Sequence, residues 1–150
     1  MYLNNFQSYI FGAILLFVMG FVACEKTATT PNLIAFGKAI ELKEAESIYY
    51  GTTIEDGVKL GIEEINDSRC PSNVVCIWAG EAVITLNVKG VEDSAKVKLK
   101  ITPSKNSQPD TLSFNLNNNS YQVILHSVNP FPNTSKSMDS KKAKITLIKK

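Results

Sequence analysis

A chain of 150 residues with a formal net charge of +2 has the length of one domain and lacks the basic excess that nucleic-acid binding requires. Hydrophobic residues make up 44% and charged residues 20%, which excludes both an extensively disordered chain and a polytopic membrane protein. The charge is unevenly placed, because residues 1–24 carry no charged side chain at all.

Within that uncharged segment, Ile10 to Val22 is an apolar run of 13 residues. It is shorter than the roughly 20 residues of a transmembrane helix and suits the helical core of a signal peptide. The run ends in Phe21-Val22-Ala23-Cys24. Here the chain resembles a bacterial lipoprotein signal, in which an apolar residue and a small residue precede the modified cysteine. The resemblance implies cleavage after Ala23 and a diacylglyceryl thioether on Cys24, followed by acylation of the new amino group. Phe21 stands where leucine is usual, and the leading MYLNNFQSY contains no Lys or Arg. Acyl chains contribute about 0.8 kcal/mol per buried methylene, so two or three of them anchor durably where one does not. The expected division is a signal peptide over 1–23, a lipidated cysteine and polar tether over 24–32, and one β domain over 33–150.

The tether, Glu25 to Asn32, is Thr-rich, is closed by Pro31 and has no periodicity. It carries one acid and no acidic run, so an outer-membrane address leaves the periplasmic face and the cell surface both open. Strand-like alternation begins at Ala39–Lys43 and returns after the turn signal Glu55-Asp56-Gly57, where Val58, Leu60 and Ile62 alternate with Lys59, Gly61 and Glu63.

Asp67 to Gly80 then holds two of the three cysteines, the sole arginine and the sole tryptophan. Cys70 and Cys76 are separated by Pro71-Ser72-Asn73-Val74-Val75. Export places them in an oxidising compartment where paired cysteines cross-link, and turn residues lie between them. The alternative, two thiolates on a metal, lacks further ligands, since His126 is the only histidine. Trp78, two residues past the second cysteine, is expected in the core against the disulfide, with a ligand platform as the alternative. Asp67 and Ser68 are expected to accept backbone N–H bonds. Arg69 has a planar fork suited either to Glu81 or Asp67 within the fold, or to a carboxylate or phosphate from outside. Gly80 is expected to permit a bend.

The residues Asp67-Ser68-Arg69-Cys70-Pro71, then Cys76, Trp78 and Gly80 with Glu81 following, carry a second resemblance. The chain resembles a group of uncharacterised cell-envelope lipoproteins common in Bacteroidetes. Tyr121 to Leu125 running on to Val128-Asn129-Pro130-Phe131-Pro132 is a further point of likeness. The resemblance implies a fold and a cellular address and carries no activity with it.

Downstream, Ile84, Leu86 and Val88 alternate, and Val97, Leu99 and Ile101 alternate with three lysines. Leu112, Phe114 and Leu116 follow, then Asn117-Asn118-Asn119-Ser120 as a hairpin turn. Tyr121, Val123 and Leu125 share a face that sends His126 to the other. The last run, Ala143–Ile148, alternates again and lies in a segment, Lys136 to Lys150, with six lysines against one aspartate; it is expected as a solvated edge strand, with a weak anion-attracting patch as the alternative. No stretch from Leu33 onward sustains a helical period. Seven or eight short strands therefore indicate an all-β fold, an antiparallel β-sandwich or small barrel.

Three functions follow. The first is a non-enzymatic, lipid-anchored envelope protein that binds or assists an unidentified protein or small molecule, with the membrane as partner through Cys24 and with no cofactor or metal. The second is an inhibitor of extracellular proteases using the braced loop 70–76, whose pre-organisation reduces the entropy lost on binding. The third is a small hydrolase. It would depend on His126, since Glu63 and Glu64 are adjacent on a strand and are expected on opposite faces.

Overall fold

The computed structural model describes residues 32–103, 108–135 and 139–150. The expected signal peptide, Cys24 and nearly all of the expected tether lie outside the described residues. The domain is built from nine strands, two of them shorter than the periodicity reveals: β1 (Leu33–Ile34), β2 (Ala39–Lys43), β3 (Ser47–Tyr50), β4 (Val58–Asp67), β5 (Ala82–Lys89), β6 (Ser94–Ile101), β7 (Asp110–Leu116), β8 (Asn119–Asn129) and β9 (Lys142–Lys149). They form two sheets, β1-β3-β4-β5-β6 and β2-β9-β8-β7. The fold is an all-β sandwich, and every pairing is antiparallel except β1 with β3.

Period-two patterning accounts for the core. Leu60 and Ile62 on β4, Ile84, Leu86 and Val88 on β5, and Leu99 on β6 meet Val123 and Leu125 on β8 and Ile145 and Leu147 on β9 between the sheets. Each such aliphatic side chain contributes about 1.5–3 kcal/mol when fully removed from water. The Asn117–Asn118 turn joins Leu116 to its partner Asn119 with φ of 48° and 59° at the two asparagines. This is the positive-φ pair that a two-residue hairpin loop requires.

The described residues hold nine strands where the periodicity indicates seven or eight, since a two-residue β1 carries no legible period. The structure corrects the place of β9, which lies between β2 and β8. Ala143, Ile145 and Leu147 face the core while Lys142, Lys144 and Lys149 face solvent. Lysine alternation marked a solvated face, and an interior strand has one as readily as an edge. Two bulges reset the alternation, between Ile62 and Glu64 and between Leu125 and Ser127. The first leaves Glu63 and Glu64 both exposed, where uninterrupted pleating predicts opposite faces. The second carries the buried set from Leu125 to Val128, with His126 at the irregularity and its Nε2 2.9 Å from Thr146 Oγ1.

Candidate functional site: a clamped disulfide loop

Strand β4 ends at Asp67 and β5 begins opposite it at Ala82, so the intervening chain leaves and re-enters the same end of the sandwich. Two bonds zip the base of this loop: Ser68 N–H donates to Glu81 O at 2.9 Å and Cys70 N–H to Ala79 O at 2.8 Å. Ser68 Oγ adds a bond to Glu81 O at 2.8 Å. Cys70 and Cys76 form a disulfide with their Cα atoms 5.9 Å apart, so neither sulfur is left to ligate a metal. Gly80 has φ +67°, and a Cβ there would lie 2.0 Å from Ser68 O. Only glycine lets the returning strand approach the outgoing one this closely.

Behind the loop sits a buried ionic clamp. Arg69 is 7% exposed, and its Nε and Nη2 donate to the two carboxylate oxygens of Asp67, each at 2.7 Å. Nη2 also donates to Val128 O at 2.9 Å, and the guanidinium lies 4.4 Å from the centre of the Phe131 ring, a cation–π contact. Lys141 Nζ donates to Asp67 Oδ2 and, at 3.1 Å, to Pro130 O. Two further bonds tie the loop to the same segment: Ser72 N–H to Pro132 O at 2.9 Å, and Thr134 N–H to Asn73 Oδ1 at 2.9 Å. Burial pushes the Asp67 carboxyl upward, but the bonds from Arg69 and Lys141 outweigh it and hold the group below its ordinary value.

The geometry decides between the readings of Arg69 in favour of an internal pair, and the pair is with Asp67. Glu81 is not its partner; its Oε2 lies 3.4 Å from Lys100 Nζ near the surface. Trp78 departs from expectation. It is 82% exposed, and beside it Val75 and Ile77 are fully exposed at 101% and 105%. The bond from Cys70 to Ala79 closes the loop outside the sandwich, so Trp78 does not reach the core that begins at Ala82. Phe131, Lys141 and the Val128 carbonyl are site members that inspection of Asp67–Gly80 does not reveal. The two stretches on which the lipoprotein resemblance rests nevertheless meet here, at the contacts of Arg69 with Val128 and Phe131. His126 is directed to Thr146 on β9.

The fold and the site together define a small β-sandwich that holds an apolar-tipped disulfide loop on a buried Asp67–Arg69 pair, with the half-buried Lys141 beside it. Compared with family models, with curated proteins and with solved structures, the chain finds no match.

Proposed function

We propose that this chain is a lipid-anchored, non-enzymatic protein of the bacterial cell envelope. Acyl groups on Cys24 hold it in the outer membrane, and the β domain is a binding or accessory module whose contact surface is the disulfide loop. The observation that carries the reading is the exposure of Val75, Ile77 and Trp78 on a frame that is otherwise tightly bonded. Apolar side chains held in water by a rigid loop add nothing to the core, and such patches mark contact surfaces. Binding through them requires little ordering of the chain. The polar groups behind the loop engage one another, which supports a bracing role for Asp67 and Arg69 over catalysis. The uncharged run ending at Cys24 supports the anchor, and a disulfide accords with an oxidising compartment. Mass spectrometry of protein taken from its native membrane tests the proposal. The expected chain starts at Cys24 and carries added acyl mass; a soluble product cut elsewhere would refute the anchor.

A further inference from the structure

We infer that the loop 70–80 is a second membrane contact, and that it seats against the same bilayer that holds Cys24; this rests on the lipid anchor proposed above. The first argument is direction. β4 runs toward the loop, β3 is antiparallel to it, and β1 is parallel to β3. The N-terminal end of β1 therefore faces the loop's end of the domain. The second argument is reach. Leu33 is in register with Tyr49, and Tyr49 with Lys59. From Lys59 to Asp67, allowing for one bulge, β4 climbs about 23 Å at about 3.3 Å per residue. Eight residues lie between Cys24 and Leu33, and the nine steps from one to the other span up to about 30 Å when fully extended. That length exceeds the distance from the level of Leu33 to the base of the loop at Asp67.

The third argument is chemical. All eleven residues from Cys70 to Gly80 are uncharged, so none resists transfer out of water as an ion does. Val75 and Ile77 are aliphatic, and Trp78 has the amphipathic ring that concentrates at the membrane–water boundary. Tethering raises the loop's effective concentration at the bilayer, so a contact too weak to hold a free domain is still populated. The disulfide and the Asp67–Arg69 clamp fix the loop beforehand, which removes the ordering cost of insertion.

Trp78 is the only tryptophan, so tryptophan emission from the full chain, excited selectively over its five tyrosines, reports this site alone. The native, acylated protein is reconstituted into vesicles of phosphatidylethanolamine and phosphatidylglycerol, with and without phospholipid spin-labelled near the headgroup. The expected result is a blue-shifted Trp78 emission that the shallow label quenches. In Val75→Asp/Ile77→Asp protein, which still floats with the vesicles and melts with the parent, that quenching falls at least two-fold. Water-like, unquenched emission from a chain that floats with the vesicles overturns the inference and leaves the anchor standing. Blue-shifted emission that the lipid label does not quench also overturns it, because a second copy or another protein, such as a protease groove, then covers the loop. A chain that neither floats nor carries acyl mass removes the anchor, and this inference with it.

Discussion

Arg69 joins three segments of the chain through one guanidinium: Asp67 just before it, the Val128 carbonyl on β8, and the Phe131 ring beyond β8. An ion pair this buried gives up hydration that its mutual attraction only partly restores. It is stable here because the fork and the carboxylate meet in parallel bonds and Lys141 supplies a second cation to Asp67. Arg69→Lys keeps the charge and loses the planar, two-pronged geometry. It is expected to cost about 1–3 kcal/mol in chemical denaturation, and a variant as stable as the parent would show that the fork is not structural. Asp67 gives the clamp a pH dependence of defined sign. Its folded pKa lies below the ordinary carboxylate value, so its contribution is complete above the unfolded value of about 3.9 and is lost as pH falls through the lower, folded one. Asp67→Asn should flatten the acid side of the stability profile, and denaturation midpoints taken from about pH 5 down to about pH 2 read this directly. An aspartate two residues before the chain's sole arginine made the pair legible in sequence. The other partners were not, since the Val128 bond spans 59 residues and the Lys141 bond 74, and a one-dimensional pattern holds no distance across a fold.

The loop that this clamp carries is specified by its backbone as much as by its disulfide. The close approach at Gly80 places the Ser68 carbonyl where any side chain would stand, and the left-handed conformation adds a separate penalty of about 1–2 kcal/mol for a residue with a Cβ. Gly80→Ala is therefore expected to destabilise the domain by at least that amount, with the base of the loop opened. Thermal melting gives the first quantity. Faster amide exchange at Ser68 and Cys70, whose N–H groups bond across to Glu81 and Ala79, gives the second. An unchanged melt would mean that Gly80 does not occupy this turn. The longer strands of this domain were readable because apolar and polar residues alternate along them with period two and turn residues such as Gly57, Gly90 and Asn117 punctuate them. What alternation does not encode is a bulge, which is why Glu63 and Glu64 share exposure, or the side to which a closed loop projects, which is why Trp78 lies in water.

Across the molecule, stability and the proposed contact reside in different places, and the separation is testable. Leu86 lies at the middle of β5 with no exposed surface, whereas Ile77 is exposed at 105% on the loop. Both are large aliphatic residues, so composition alone does not distinguish them; position between two sheets or beyond their edge does. Truncating Leu86 leaves a cavity that neighbours from both sheets fill only in part. Leu86→Ala should accordingly cost about 2–5 kcal/mol. Ile77→Ser removes an apolar side chain that water already surrounds, and a surface change of that kind stays within about 0.5 kcal/mol. Denaturation of the two variants beside the parent measures the difference. If Ile77→Ser proves as costly as the core change, the loop packs against the domain in solution and cannot be its contact surface. If the costs separate as expected, Ile77, Val75 and Trp78 can be altered freely in binding experiments without disturbing the sandwich that positions them.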